Sequence, residues 1–274
     1  MTAEQKQCAA AFLDMADDYL RCGHRSTPRI YNFTDDVERP AAAAAFTAAA
    51  ACGQAPAQAG AGAAPGEREA ALRAVAGEIA ACTRCPLAVG RRNVVPGEGA
   101  AGPLVFVLGE GPGADEDAQG RPFVGPAGKL LDKMLAAIGL CREKNCFIGN
   151  TVKCRPPGNR DPEPVEKAAC RAFLDRQIAI LTPQVILAVG RVPAQTLLET
   201  TEGITRLRGQ WANIVGSRGE KILVLPTFHP SYLLRDDRQK PLAWEDLKKL
   251  SRRLATLDAR YDRDTAELRK KHKI

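Results

Sequence analysis

Runs of apolar residues alternate with longer amphipathic stretches from residue 67 onward. The runs predict strands at Leu104–Gly109, Cys146–Val152, Val185–Gly190 and Ile222–Thr227. Apolar residues at helical spacing predict helices at about Glu67–Ala81, Ala127–Gly139, Glu163–Leu181, Val192–Glu199 and from Leu242 onward. Because the runs are almost wholly apolar, as in strands covered on both faces, the alternation predicts an α/β fold with a largely parallel sheet.

The N-terminal part of the chain has a different pattern. One amphipathic helix is predicted between Glu4 and Arg21. Residues 41–66 carry no charge, and 15 of these 26 residues are alanine, interrupted by glycine and proline, which is typical of a linker. The predicted organisation is an extension with a short helix (1–40), a linker (41–66), a main domain (67–255) and a charged helical tail (256–274).

Composition narrows the possible partners. The net charge of +7 and the pI near 9.0 suit a polyanion such as nucleic acid. No run reaches the roughly 18 consecutive apolar residues of a membrane helix, and the first residues have no apolar signal core. We therefore expect a cytoplasmic protein with no membrane partner. Its nine cysteines are odd in number, which argues against a complete disulfide framework and favours a metal or cluster.

Four of the cysteines have positions that are typical of ligands. Cys82 and Cys85 form a CxxC pair, whereas Cys154 and Cys170 come singly from distant segments. Four thiolates from scattered positions suit zinc and an iron–sulfur cluster about equally well. We interpret two other cysteines, Cys141 and Cys146, as ordinary buried thiols.

The candidate site residues lie where predicted strands end. The segment from Val105 to Gly128 leaves a strand at Gly109, passes through a loop rich in glycine, proline and acids, and restarts as a helix. Asn150 and His229 also follow apolar runs. Ligands of parallel sheets bind at the carboxyl ends of the strands, so these residues are expected to meet. Taken singly, such an asparagine more often closes a turn, and a lone histidine is more often structural.

Five motifs occur in order along about residues 68–255. They are CTRCPL from Cys82, GEGPG from Gly109, GRPFVG from Gly120, NTVKCRPPGNR from Asn150 and HPS from His229. Together they resemble the motifs of the family-4 uracil-DNA glycosylases, the iron–sulfur members of the uracil-DNA glycosylase superfamily. The KCRPPGNR segment combined with the paired cysteines is highly specific for that family.

The resemblance implies an α/β/α sandwich around a four-stranded parallel sheet. It implies an enzyme that flips uracil out of DNA and hydrolyses its N-glycosidic bond, leaving an abasic site. Cys82, Cys85, Cys154 and Cys170 would hold a [4Fe–4S] cluster. The implied partner is uracil-containing DNA, and a monomer is expected.

By the same resemblance, three side chains would form the base pocket. An Asn150 amide of fixed orientation would pair with uracil N3–H and O4, whereas cytosine presents the reverse order of donor and acceptor. Phe123 would stack on the flipped base. His229 would donate a hydrogen bond to uracil O2 as negative charge builds on the leaving base.

The loop after the first strand would complete the substrate site with Gly109, Glu110, Gly111 and Glu116. Glu116 would lie near uracil C5 and help to exclude the methyl group of thymine. Better-known superfamily members have an aspartate two residues after the motif glycine, where this chain has Gly111, so the obvious base is missing. Glu110 is therefore expected to be catalytic beside His229, with its role toward water open.

DNA contacts are expected from two basic segments. Lys153, Arg155 and Arg160 flank the third cluster cysteine and would place positive charge against the backbone. After the HPS motif, Leu233 would enter the space that the base vacates, and Arg235 would hold a phosphate.

Two other functions compete with hydrolysis. A cluster- or zinc-stapled module could bind nucleic acid without catalysis, and the glycine at 111 keeps that alternative open. Some superfamily relatives trap uracil-DNA covalently through a histidine in an inserted basic loop. Residues 154–170 contain no histidine and no such insertion, so this alternative is disfavoured.

Overall fold

The computed structural model describes residues 65–272. The predicted helix at Glu4–Arg21 and nearly all of the predicted linker lie outside the described residues. The strands are β1 (Glu98–Gly99), β2 (Val105–Gly109), β3 (Cys146–Asn150), β4 (Val185–Val189), β5 (Ala212–Val215) and β6 (Lys221–Thr227). Over the described range, no helix has both the length and the apolar character that crossing a bilayer requires.

The helices lie between the strands, as the alternating pattern predicts. They are α1 (Pro65–Ala80), α2 (Leu87–Gly90), α3 (Ala114–Gln119), α4 (Pro126–Ala136), α5 (Pro164–Leu181), α6 (Arg191–Leu198), α7 (Ile204–Leu207), α8 (Pro230–Arg235), α9 (Lys240–Leu257) and α10 (Ala259–His272). Single turns of 3-10 helix cover Pro157–Asn159 and Asp237–Gln239.

The sheet has the strand order β1-β3-β2-β4-β6-β5. Its four central strands are parallel, and β1 and β5 pair antiparallel at the two edges. The predicted α/β class and its four parallel strands are confirmed, but the sheet has six strands rather than four. The edge strands escaped prediction because β1 has only two residues and β5 alternates between half-buried and exposed positions.

Each face of the sheet is covered by its own apolar core. In β2, Val105 and Val107 point to the side that packs against α4 and α9, whereas Phe106 and Leu108 point to the side of α5 and α6. Successive side chains of a strand point to opposite faces, and all of β2 is buried. Burying one such side chain contributes about 1.5–3 kcal/mol, so both helical layers are held by the strand pattern.

The charged C-terminal helix α10 begins against the core. Tyr261 is buried with the α4 and α9 side chains, and its hydroxyl donates to the carbonyl oxygen of Ile138 at 2.6 Å. The compact body therefore continues past residue 255, where the main domain was predicted to end.

The parallel arrangement brings the carboxyl ends of the central strands to one edge. Gly109 ends β2, Asn150 ends β3 and Thr227 ends β6, two residues before His229. Residues far apart in the chain therefore share one site.

Candidate functional site

Gly109 lies between two of the predicted pocket residues. It is opposite Asn150 in the β2–β3 pairing. A Cβ atom at Gly109 would lie 2.6 Å from Cζ of Phe123, and it would overlap Oδ1 of Asn150. The missing side chain therefore leaves the space in which these two groups approach each other. Any larger residue at 109 would push them apart.

The Asn150 side chain presents an unused polar atom. The residue is 1% exposed, and its Oδ1 atom is buried with no hydrogen-bond partner among the described residues. A buried polar atom without a partner costs about 1–3 kcal/mol. A ligand N–H placed opposite Oδ1 would recover that cost, so the amide is arranged to bind a complementary donor and acceptor.

Phe123 is held in an unusual backbone conformation. Its φ angle is +53°, in the left-handed region that residues other than glycine rarely adopt. The ring is largely buried, and its centroid lies 5.6 Å from that of the His229 ring, at an interplanar angle of 31°. Strain of about 1–3 kcal/mol at such a residue is typical of binding sites. Phe123 thus lies next to Asn150 at Gly109, and its ring also packs beside His229.

His229 is neutral, and one of its nitrogens is already in use. It precedes α8, and its Nδ1 atom accepts a hydrogen bond from the main-chain N–H of Ser231 at 3.1 Å. Burial, and then the positive charge of Arg235, lower the pKa of His229 to about 4. Because Nδ1 is an acceptor, the proton of the neutral ring lies on Nε2, which is left as a donor.

Glu110 is the titratable acid of the site. Burial, followed by the nearby negative charge of Asp161, raises its pKa to about 7, and Arg191 partly offsets this effect. Arg191 also forms an ion pair with Asp161. Sequence reasoning missed Asp161, although it directly follows the KCRPPGNR segment, because nothing in the sequence brings it to Glu110.

The glycine at 111 has a steric explanation. A Cβ atom there would lie 2.9 Å from Cγ2 of Val152 and 3.5 Å from Cδ of Pro156. The loop after β2 therefore packs directly on the segment after β3. An aspartate at this position would require one of the two segments to move.

Glu116 holds the loop that carries Phe123. One carboxylate oxygen accepts the N–H groups of Val124 at 2.9 Å and Gly125 at 3.1 Å, and the other accepts that of Gly113 at 3.1 Å. The carboxylate is thus occupied by the backbone. Glu116 thus supports the pocket through the loop, and its position near uracil C5 stays a prediction.

Asp117 follows Glu116 on the same short helix, α3. It is buried, and its carboxylate accepts the N–H groups of Arg92 at 2.9 Å and Asn93 at 3.3 Å. It joins α3 to the segment before β1.

The four predicted cysteine ligands line one small cavity. They are Cys82, Cys85, Cys154 and Cys170. Guanidinium groups surround the sulfurs: Arg91 donates to Sγ of Cys154 at 3.2 Å, and Arg84 donates to Sγ of Cys82 at 3.5 Å. Within residues 65–272, no group of three or more Cys, His, Asp or Glu is arranged around a single metal ion. Four thiol sulfurs and the guanidinium donors beside them form the donor set of a negatively charged, sulfur-bound group.

The free thiols of this cavity differ in acidity. Burial raises the pKa of Cys154 and of Cys170. At Cys82 burial acts in the same direction, but the hydrogen bonds and charge of Arg84 outweigh it and lower the pKa. Of these three thiols, Cys82 is the one most ready to lose its proton to an incoming metal.

Comparison with known proteins agrees with this geometry. The family model of the uracil DNA glycosylase superfamily matches residues 96–248. The chain belongs to the uracil DNA glycosylase superfamily. A type-4 uracil-DNA glycosylase of Thermotoga maritima is 45% identical over 185 residues, which cover 66% of this chain and 94% of the relative. One from Sulfurisphaera tokodaii is 42% identical over 198 residues, covering 70% of this chain and 89% of the relative.

The helix after the histidine presents a different leucine from the predicted one. In this superfamily member, Leu233 is 1% exposed and packs against Phe228 and Ala243, whereas Leu234 is 46% exposed. The predicted DNA contact at Leu233 is therefore corrected, because α8 turns that side chain inward. Arg235 is exposed on the same short helix.

The basic residues around Cys154 have unequal access to DNA. Lys153 is fully buried, which corrects its expected contact with the backbone. Arg160 makes two hydrogen bonds to the buried Glu166, at 2.8 and 2.6 Å, and its side chain is 38% exposed. Arg155 is half-buried and donates from Nε to Asn159. The phosphate contacts of Arg155, Arg160 and Arg235 stay predictions.

Proposed function

We propose that this chain hydrolyses the N-glycosidic bond of deoxyuridine in DNA, releasing uracil and leaving an abasic site. The observation that carries the proposal is the unpartnered Oδ1 of Asn150, buried beside the Phe123 ring, which in turn packs against the neutral His229. A pyrimidine flipped into this space would meet an amide, a stacking ring and a hydrogen-bond donor. The type-4 uracil-DNA glycosylases that resemble the chain over most of their length support the same activity.

Asn150 would select uracil. Its Oδ1 would accept the N3–H of uracil, and its Nδ2 would donate to O4. Cytosine presents an acceptor at N3 and a donor at N4, so both pairs would be mismatched. Phe123 would support this selection by fixing the plane of the base through stacking.

His229 would stabilise the leaving group. Breaking the C1′–N1 bond leaves the electron pair on uracil, with charge shared by N1 and O2. The Nε2–H of a neutral imidazole would donate to O2 as that charge develops. A pKa of about 4 keeps the ring neutral at physiological pH, so no change of protonation is needed before the bond breaks.

Glu110 would act on water. A water molecule attacks C1′ and must lose a proton as the new C–O bond forms. A carboxylate with a pKa of about 7 is matched to that transfer near neutral pH. Glu110 would orient the water and accept its proton, with Arg191 and Asp161 setting the charge of its surroundings.

We propose a [4Fe–4S] cluster in the cavity of Cys82, Cys85, Cys154 and Cys170. The four sulfurs line one space, and the donors from Arg84 and Arg91 suit a negatively charged group. When bound, the cluster would supply metal–sulfur bonds that tie the CxxC turn, the segment after β3 and α5 together. Residues 67–255, with the start of α10, would form the catalytic domain, acting on uracil-containing DNA as a monomer.

The decisive experiment measures base release from DNA. Purified protein is incubated with single- and double-stranded oligonucleotides that contain uracil, cytosine or thymine at one position. We expect free uracil and an alkali-sensitive abasic site, no release of the other bases, and a large loss of rate for His229→Ala. Binding of the oligonucleotides without release of uracil would favour the non-catalytic module instead.

A further inference from the structure

The backbone around Phe123 is held by one guanidinium group. Arg142 lies between α4 and β3, and it belongs to none of the five sequence motifs. Its Nη1 atom donates to the carbonyl oxygen of Pro122 and its Nη2 atom to that of Phe123, both at 2.6 Å. The two branches of the fork therefore hold consecutive peptide groups, one on each side of the Phe123 Cα atom.

These two peptide groups flank the strained backbone of Phe123. The φ angle of Phe123 is +53°, a conformation that costs a residue with a side chain about 1–2 kcal/mol. The same carbonyl also packs on the start of α4, since a Cβ atom at Gly128 would overlap the Phe123 oxygen. The conformation is thus stabilised by contacts outside the pocket, and it places the ring beside His229.

Arg142 is itself fixed from two other directions. Its Nη1 also donates to Glu98 on β1 at 2.8 Å, and its Nε donates to Asp132 on α4 at 2.9 Å. Its side chain is 11% exposed. A planar group with two carboxylates on its outer side and two carbonyls on its inner side has one orientation available. Glu98 also binds Arg121, which makes no such contact with the loop carbonyls.

We propose that Arg142 is a positioning residue, which sets the Phe123 ring in the orientation that stacks on the flipped base. This inference rests on the proposed function. Arg142 acts through the carbonyls of Pro122 and Phe123 and not by touching the substrate. Neither lysine nor glutamine reproduces the fork, because lysine donates from one point and glutamine has a single amide nitrogen.

The first test compares Arg142→Gln with Arg121→Gln. Both changes remove an arginine that binds Glu98, but Arg142 alone of this pair holds the loop. We expect Arg142→Gln to lower kcat/KM for uracil release roughly 10- to 100-fold, as misplacement of a pocket group does. Arg121→Gln should stay within about 2-fold of the parent, the size of effect expected for an exposed ion pair. Equal rates for Arg142→Gln and the parent would overturn the inference.

The second test is a double-mutant cycle with Phe123→Leu, which removes the stacking ring. If Arg142 acts through that ring, Arg142→Gln should cost less than about 3-fold in the Phe123→Leu background. An equal loss in both backgrounds would show a general structural effect and would overturn the inference. Arg142→Lys serves as the second variant where Arg142→Gln fails to fold, with an intermediate loss expected.

The third test is independent of catalysis. Hydrogen exchange of the full chain should become faster in peptides covering residues 120–128 in Arg142→Gln, while peptides from β2 and β4 keep the parent rate. Unchanged exchange in residues 120–128 would overturn the inference even in an active enzyme. If the parent releases no uracil, the proposed function fails, and this measurement still decides whether Arg142 holds the loop.

Discussion

The Nζ atom of Lys153 donates a hydrogen bond to the main-chain carbonyl oxygen of Asn150 at 2.7 Å. It also donates to Oε1 of Gln177 at 2.6 Å, and Gln177 donates in turn to the carbonyl oxygen of Pro96. Lys153 directly precedes Cys154 in the chain. The buried ammonium group thus connects the cysteine segment to the end of β3, where the base would be read.

Replacing Lys153 by methionine keeps the length of the side chain but removes its donor. The carbonyl of Asn150 and the Gln177 oxygen then lose a buried partner, which should lower the free energy of unfolding by about 1–3 kcal/mol. Uracil release should fall roughly 10-fold because the Asn150 backbone is less fixed. Thermal unfolding and single-turnover assays measure the two effects, with the exposed Lys133→Met as control. A less stable variant with the parent rate would contradict the link to Asn150.

Replacing Asn150 by aspartate should change the base that is accepted. An ionised carboxylate cannot donate to uracil O4, but it can accept the N4 hydrogens of cytosine. We expect the ratio of uracil to cytosine release to fall by about 100-fold or more, because a mismatched polar group is left buried. Chromatography of the released bases gives the ratio. Asn213→Asp on the exposed edge strand β5 is the matched change and should leave the ratio unaltered.

Replacing Glu110 by glutamine should remove a titration near neutral pH. In the parent, the rate of uracil release should rise with pH through about 7, as Glu110 becomes a carboxylate. The Glu110→Gln variant should be slower and should show no such rise. Rates measured between pH 5 and 9 test this, and a rise that persists in the variant would assign the titration to another group.

The same substitution has a predicted effect on stability. The pKa of Glu110 is raised from 4.5 in the unfolded chain to about 7, so the folded state retains its proton longer. The parent therefore loses stability as pH rises from about 4.5 to 7, and glutamine does not. The difference in free energy of unfolding, Glu110→Gln minus parent, should be about 1–2 kcal/mol larger at pH 8 than at pH 5. This figure allows for solvent screening. The exposed Glu69→Gln should show no gain.

Replacing Cys170 by serine tests the sulfur-bound group. We expect the purified variant to lose visible absorbance and acid-labile sulfide and to unfold at a lower temperature, because α5 is no longer tied to the CxxC turn. Uracil release should fall in parallel. The half-buried Cys141 lies outside the cavity of the four cysteines, so Cys141→Ser should keep the parent properties. A Cys170→Ser protein with unchanged sulfide content would contradict the proposed ligand set.

The sequence predicts the central strands because each of them is an almost uninterrupted run of apolar residues. Every residue of β2, β3 and β4 is buried, so each strand appears as a short, largely apolar run, and its length of five residues favours a strand over a helix. The edge strand β5 is covered on one side only, and its alternating pattern over four residues is too short to separate from a turn. β1, with only two residues, is even harder to recognise as a strand from its pattern.

The roles of individual site residues are harder to predict, since they depend on partners from other segments. Glu116 occurs in an acidic run that resembles a solvated turn, and only the folded loop brings the N–H groups of Val124 and Gly125 to its carboxylate. Leu233 and Leu234 are adjacent, and the phase of the short helix α8 decides which of them is buried. Arg142 occurs in a charged turn between α4 and β3 and belongs to none of the motifs.

The alignment of β2 with β3 has a consequence for insertions and deletions. Gly109 faces Asn150 across the pairing, so the amide enters the pocket at the one position where its neighbour has no side chain. Shifting β3 by one residue would turn the amide to the opposite face of the sheet and set Gly149 or Thr151 in its place. A one-residue deletion inside β3 should thus abolish base selection, whereas a change of length in the turn at 142–144 could leave that alignment intact. The offset between two buried strands therefore determines which base the enzyme removes.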